Sequence, residues 1–136
     1  MVIDEADRLK ISSLEAVRDL FDRQSIDMIL MGMPGIEKRM SRYPQLYSRI
    51  GFMHEFNPLS AQEIRQLLEQ GWRPPTTQLL GKIDSEAVTS LIRITGGNFR
   101  LLQRLLVQAE RILKINQLET VTRQAVESAR ESLVIG

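Results

Sequence analysis

The stretch that decides the fold is residues 2–9, which read Val2-Ile3-Asp4-Glu5-Ala6-Asp7-Arg8-Leu9. A short apolar run, typical of a buried strand, ends in two adjacent acids and passes into polar residues. In a parallel α/β sheet, ligands bind at the carboxyl ends of the strands. There, one carboxylate can hold a hydrated Mg²⁺ and its neighbour can activate a water molecule. The simpler alternative is that both acids only cap the helix that follows.

The composition narrows the class of protein. A chain of 136 residues with 43% hydrophobic residues suits one domain, or a small domain with an appendage. The net charge of +1 does not by itself indicate a nucleic-acid or membrane partner. The absence of cysteine excludes disulfides and thiolate zinc sites and fits a reducing compartment. No apolar run approaches the ~18 residues of a membrane span, and the acidic start is unlike a signal peptide, so we expect a cytoplasmic protein.

Residues 1–58 alternate between strand and helix patterns. Ser12 and Glu15 have capping-box spacing, which predicts a helix beginning at Ser12. Residues 28–31 read as a buried strand that a Gly-Met-Pro-Gly turn ends. Residues 36–42 and 46–50 read as short helices, and residues 52–56 alternate apolar and polar as in a half-buried strand. This order predicts a parallel α/β sheet.

Residues 59–136 read as helical throughout. A second capping box, Ser60 with Glu63, opens the first helix, and we expect later helices to begin at Asp84, Asn98 and Thr120. Glycine and proline at 71–75 make a stiff connector between them. We therefore place a domain boundary near residue 58.

Together these features resemble the C-terminal part of an AAA+ ATPase, from Walker B to the lid. Residues 2–5 are similar to Walker B, and the resemblance implies that Asp4 coordinates Mg²⁺ through water while Glu5 polarises the attacking water. Residues 29–35 are similar to the sensor 1 strand and turn, although Met33 stands where the family has a polar side chain. Arg49 stands at the arginine-finger position, which acts on a neighbouring subunit. Arg100, after Gly-Gly-Asn-Phe, matches sensor 2, which reaches the phosphates of its own subunit.

The resemblance implies a fold class and two ligands. We expect an α/β fold with a partial parallel P-loop NTPase sheet that lacks the Walker A half, followed by an all-α lid bundle. Residues 1–58 would be the distal AAA+ core and residues 59–136 the lid with sensor 2. The ligands implied are ATP and Mg²⁺.

Within the AAA+ proteins, the spacing is most similar to the TniB/TnsC-like transposition ATPases. That resemblance implies a regulator that self-oligomerises on DNA and recruits a transposase. AAA+ proteins of the origin-recognition type share the same motifs. A basic cluster of Lys38, Arg39 and Arg42 is compatible with DNA contact, but it also suits an ordinary solvated helix face.

The phosphate-binding loop Gly-x-x-x-x-Gly-Lys-Ser/Thr does not occur in the 136 residues. The backbone amides and lysine of that loop cradle the β- and γ-phosphates. Because the family carries it upstream of Walker B, we expect the sequence to begin partway through the domain and to hydrolyse ATP negligibly alone. The alternative is a non-catalytic interaction module that supplies Arg49 and lid contacts to a partner ATPase.

Overall fold

The computed structural model describes residues 1–78 and 81–133, and the chain divides into two compact units between Phe56 and Asn57. The first unit is built around a parallel pair of short strands, β1 (Val2–Ile3) and β2 (Ile29–Leu30). The Met31 amide donates to the carbonyl of Ile3 at 2.9 Å, and the Ala6 amide donates to the carbonyl of Met31 at 2.8 Å. These bonds carry the pairing past the last strand residues into the loops that hold the acids.

Three helices cover this strand pair: α1 (Ile11–Gln24), α2 (Ile36–Met40) and α3 (Pro44–Tyr47), with a single 3₁₀ turn at Ala6–Arg8. Their buried side chains are Leu14, Met40 and Leu46, which pack together as one small core. Proline at the first position of α3 fits there because that residue needs no amide hydrogen bond.

Two predictions for the first unit are wrong. Helix α1 begins at Ile11, and Lys10 is its N-cap residue, without a side-chain cap. The amides of Ser13 and Leu14 both bond to the carbonyl of Lys10, so the predicted capping residue Ser12 already lies inside the first turn.

The predicted strand at residues 52–56 does not form. Phe52 and Phe56 are 81% and 88% exposed, and the His54 ring lies between them, 6.3 and 4.6 Å from their ring centroids. The side chains of residues 52, 54 and 56 therefore form three neighbouring rings. A strand also requires a hydrogen-bonded neighbour, and the first unit offers this segment none among the described residues.

The second unit consists of four helices and one further strand pair. The helices are α4 (Ala61–Glu69), α5 (Ser85–Thr95), α6 (Phe99–Asn116) and α7 (Arg123–Ser132), and the parallel strands are β3 (Lys82–Ile83) and β4 (Thr120–Val121). The central helix α6 presents Leu102, Leu105 and Leu106, all fully buried, to the core. Burying a leucine side chain stabilises a fold by about 1.5–3 kcal/mol.

Several helix starts in this unit follow the sequence prediction. The Ser60 hydroxyl accepts from the Glu63 amide at 3.2 Å, and the Glu63 carboxylate accepts from the Ser60 amide at 2.8 Å, completing the capping box. Asp84 and Asn98 cap α5 and α6 as predicted.

The prediction that a helix begins at Thr120 is wrong. Thr120 lies in β4, opposite Lys82. Thr122 caps α7 instead, accepting from the Ala125 amide at 3.3 Å. The predicted fold class is confirmed: short parallel strands with helices are followed by a mainly helical lid, to which the structure adds the β3–β4 pair.

Candidate functional site

The two adjacent acids lie directly beyond β1 and are exposed. Asp4 Oδ1 accepts a hydrogen bond from the Glu5 amide at 2.8 Å, which fixes the carboxylate over the turn. Glu5 adopts a left-handed backbone conformation with φ of 52° and ψ of 35°. For a residue with a side chain this conformation costs about 1–2 kcal/mol. Strain of this kind is found more often at functional sites than elsewhere.

The Glu5 side chain pairs with Arg8 one turn later. Glu5 Oε2 lies 3.0 Å from the nearest guanidinium nitrogen of Arg8, and both side chains are largely exposed, at 62% and 74%. An exposed pair of this kind is weak and easily exchanged. Glu5 can therefore leave Arg8 for a water molecule without disturbing the fold.

Asp7 connects the loop after β1 to the loop after β2. Its Oδ1 accepts a hydrogen bond from the Met33 amide at 3.1 Å. The contact requires glycine at position 32, since a β-carbon there would lie 2.6 Å from Asp7 Oδ1 and 2.6 Å from Ile36 Cδ1. Asp7 thus positions the sensor 1-like turn against the Walker B-like strand.

This role of Asp7 was not predicted from the sequence. Two features of the sequence point to this role: a third acid in the loop after β1 and a glycine after the neighbouring strand β2. Met33 contacts Asp7 through its backbone amide, and the methionine is 67% exposed.

Arg49 is held by a forked ion pair with Asp22 of α1. The Nε–Oδ1 and Nη2–Oδ2 distances are 2.6 and 2.7 Å, and the guanidinium also donates to the carbonyl of Gln45. These hydrogen bonds hold the pKa of Asp22 below its ordinary value and raise the pKa of Arg49. Arg49 is therefore a fixed, permanently charged fork at the surface of the first unit.

Arg100 lies in the second unit, at the second position of α6. It is exposed and forms no hydrogen bond or ion pair within the described ranges 1–78 and 81–133. Beside it, Phe99 packs on Trp72 with ring centroids 5.0 Å apart, and Trp72 also packs against the lid core. Trp72 therefore anchors the connector after α4 to the start of the helix that carries Arg100.

The basic cluster on α2 divides into two roles. Lys38 and Arg42 are exposed, whereas Arg39 is half-buried and donates to the carbonyl of Leu9. Arg39 thus ties α2 to the loop between the 3₁₀ turn and α1, so it is not available to a charged partner in this conformation.

The acids at β1 are suited to one mode of metal binding. No group of three or more histidine or acidic side chains that could hold a metal occurs in the described part of the chain. Mg²⁺ commonly binds to one or two carboxylates and completes its shell with water and substrate phosphates. A single exposed carboxylate, such as Asp4 with one oxygen engaged, fits that mode.

Comparison with known proteins extends these observations. Residues 1–40 match a family model described as "AAA domain". A Staphylococcus aureus protein described as "Potential ATP-binding protein" is 51% identical over 138 residues, which cover 100% of this chain and 51% of the relative. The chain therefore spans about half the length of the curated relative that it matches.

Solved structures of RuvB from Thermotoga maritima share the fold. A structure of the RuvB Holliday junction branch migration motor superposes with a TM-score of 0.72 at 20% identity, over 99% of this chain and 44% of that one. A mutant of the same protein gives a TM-score of 0.72 at 19% identity over 99% and 45%. The chain therefore shares the fold of the part of RuvB on which it superposes.

The AAA-domain match can be compared with the positions of the strands and their motifs. The AAA-domain match covers both β1 with its acids and β2 with the turn at Met33. None of the helices in the described part of the chain is long and apolar enough to cross a membrane.

Proposed function

We propose that the chain is the Walker B, arginine-finger and lid portion of an AAA+ protein that binds and hydrolyses ATP. The observation that carries the proposal is the parallel β1–β2 pair with Asp4 and Glu5 at its carboxyl end and Asp7 fixing the adjacent turn. The AAA-domain match over residues 1–40 and the description of the Staphylococcus aureus relative support it. In this proposal residues 1–58 are the distal core and residues 59–136 are the lid.

Asp4 would hold Mg²⁺ through water, and Glu5 would polarise the attacking water. When bound, the ion neutralises charge on the phosphate oxygens. The Glu5 amide hydrogen bond orients the Asp4 carboxylate and leaves its second oxygen for a bound water. Glu5 exchanges its exposed contact with Arg8 for the water that it activates.

Arg49 would act on the ATP of a neighbouring subunit, and Arg100 on the ATP of its own. A planar guanidinium suits the charge that develops on a transferred phosphoryl group. Arg49 would exchange its ion pair with Asp22 for the phosphate of the neighbouring subunit when the subunits assemble. This arrangement makes self-oligomerisation a part of the proposal.

For the wider context we propose a DNA-associated regulator of transposition in the cytoplasm, which recruits a transposase. The similarity of residues 2–5, Arg49 and Arg100 to the TniB/TnsC-like ATPases supports this context. The structurally similar RuvB protein is a Holliday junction branch migration motor, which is compatible with work on DNA. An AAA+ protein of the origin-recognition type would share the same site.

A second candidate is a non-catalytic module that supplies Arg49 and lid contacts to a partner ATPase. The observation that favours it is the apolar Met33 at the sensor 1 position. A thioether is a weak hydrogen-bond acceptor and orients a water or γ-phosphate poorly. In this candidate Glu5 would have no role in hydrolysis.

The test is ATP hydrolysis by the complete gene product, with Glu5→Gln and Arg49→Ala variants measured alone and mixed. Each variant alone should lose activity, by about 10³-fold or more for the arginine. A mixture should recover part of it, because Glu5 of the Arg49→Ala subunit then faces Arg49 of the Glu5→Gln subunit. Arg42→Ala, another exposed arginine of the first unit, is the control that should stay active.

Two results would contradict the proposal. If the mixture recovers nothing while the subunits still assemble, Arg49 does not act across an interface. If Glu5→Gln alone hydrolyses ATP like the wild type, the non-catalytic candidate is favoured. Residues 1–136 alone should hydrolyse ATP negligibly, and strong Mg²⁺-dependent turnover by them would contradict that expectation.

A further inference from the structure

We propose that a pocket on the lid, formed by α4, α5 and α7, binds a backbone phosphate of nucleic acid. The pocket has a volume of about 390 Å³ and is distinct from the acids at β1 and from Arg100. Its lining includes Arg65, Ser85, Glu86, Ser90, Arg93 and Arg123. This inference rests on the DNA association proposed above and identifies a surface for it.

The lid pocket is basic because one arginine from each of three helices faces it. Arg65 comes from α4, Arg93 from α5 and Arg123 from α7. Arg93 is paired with Glu127. Arg65 and Arg123 are exposed and form no ion pair or hydrogen bond within residues 1–78 and 81–133. Two guanidinium forks are therefore available to an anion.

The N-terminus of α7, which Thr122 caps, adds to this positive potential, whereas the N-terminus of α5 is already capped by the Asp84 carboxylate. Ser85 is the first residue of the 11-residue α5, and Arg123 is the first residue of the 10-residue α7. The amides at a helix N-terminus attract anions such as phosphate. Against them, Glu86 is the one acid that lines the lid pocket. Because Glu127 neutralises Arg93, the two remaining arginines and Glu86 leave a net charge of +1 on the lining.

The chemistry of the lining favours nucleic acid over an acidic protein. All the lining residues are polar or charged. Protein partners are anchored by apolar and aromatic side chains that fill desolvated pockets, and no aliphatic or aromatic residue lines this pocket. Hydroxyls and arginine forks suffice for a phosphodiester, whose affinity comes largely from the release of counterions. A phosphate on a polymer therefore suits an open, polar pocket better than a peptide does.

The test is binding of a fluorescein-labelled DNA duplex to the 136-residue chain by anisotropy, over a range of salt concentrations. Arg65→Gln/Arg123→Gln should weaken binding about tenfold at low salt and reduce the slope of log K against log salt by about 0.9, since the pocket neutralises one phosphate. Both arginines are exposed, so the variant should fold, which circular dichroism checks. Glu86→Gln should strengthen binding by about two- to threefold because it removes the one acid of the lining.

The matched control is Arg23→Gln/Arg111→Gln, which removes the same charge from two exposed arginines outside the lid pocket. It should weaken binding by no more than about twofold. Equal weakening by both double variants would reduce the effect to general charge and overturn the proposal. Duplex binding that the lid-pocket variant retains in full would overturn the pocket and leave the DNA association standing.

Two further outcomes separate the remaining alternatives. If the wild-type chain binds polyglutamate with the same dependence on Arg65 and Arg123 but does not bind the duplex, the ligand class is wrong. If it binds neither, the lid pocket is not a phosphate site. The ATP-hydrolysis test of the proposed function is measured without DNA, so its outcome is independent of both.

Discussion

The left-handed backbone conformation of Glu5 predicts that this residue lowers the free energy of unfolding. The perturbation is a pair of substitutions, Glu5→Ala and Glu5→Gly. Both remove the carboxylate and the ion pair with Arg8, so the difference between them reports the backbone alone. Alanine retains the steric cost of a φ of 52°, and glycine does not.

The expected difference follows from two opposing terms. Relief of the left-handed conformation favours glycine by about 1–2 kcal/mol. Glycine also has greater conformational freedom in the unfolded chain, which lowers the stability of the glycine variant by about 0.5–1 kcal/mol. Glu5→Gly should therefore be more stable than Glu5→Ala by about 0.5–1 kcal/mol. As a control, the same pair at Glu15, an exposed helical position in α1, should show the opposite sign, with glycine worse by about 0.8–1 kcal/mol.

Amide hydrogen exchange by NMR measures the effect locally. The Ala6 amide bonds to the carbonyl of Met31 and reports opening of the loops beyond β1 and β2. Its protection should be greater in Glu5→Gly than in Glu5→Ala. Equal protection of Ala6 in the two variants would refute the backbone argument.

Two further predictions concern the lid and the candidate finger. Gly97→Ala should destabilise the lid by about 2–4 kcal/mol, because its φ is 88° and a methyl would collide with the backbone oxygen of Leu59. The control Gly71→Ala, with φ of 83° and open space around it, should cost only about 1 kcal/mol. Equal midpoints of denaturation by Trp72 fluorescence in the two variants would contradict this prediction. The pKa of Asp22 is lowered by Arg49, so its contribution to stability is present above its ordinary value of 3.8 and is lost as the pH falls through the folded value. Asp22→Asn should therefore flatten the acid limb of the stability curve, and an unchanged limb would exclude this coupling.

Local signals in the sequence predicted the elements whose causes are local. The capping box at Ser60 and the caps at Asp84 and Asn98 form as predicted, because each depends on residues within one helical turn. The strand pair β1–β2 was also predictable, since two apolar runs end in polar or glycine-rich turns at the point where parallel strands meet their loops.

The sequence predictions fail where the conformation of a segment depends on residues that are distant in the chain. Thr120 is extended because Lys82 lies opposite it in β3, which a helical pattern around residues 120–129 does not reveal. Residues 52–56 carry the alternation of a strand, but alternation specifies faces and does not supply a hydrogen-bonding neighbour. Ser12 has the chemistry of a cap, yet the chain turns into the helix two residues earlier, where Lys10 provides the first carbonyl.

The candidate site shows the same division between local and distant causes. The sequence placed Asp4 and Glu5 at the end of a strand, and the structure places them there. Nothing in the sequence indicated that Asp22, 27 residues away, holds Arg49, because complementary charges at that separation occur throughout a chain with 26% charged residues.

The turn at Met33 combines a local and a distant cause. A methionine at the sensor 1 position implies that the side chain has no polar role, yet the turn is still held against the β1 loop through the Met33 amide and Asp7. The geometry of the turn thus depends on the acid of one strand-end loop and on the absence of a side chain at Gly32, rather than on residue 33 itself. A polar residue could replace methionine there without altering the backbone contact. The turn would therefore keep its place in a catalytic and in a non-catalytic protein alike, because Asp7 holds it through the backbone amide of residue 33.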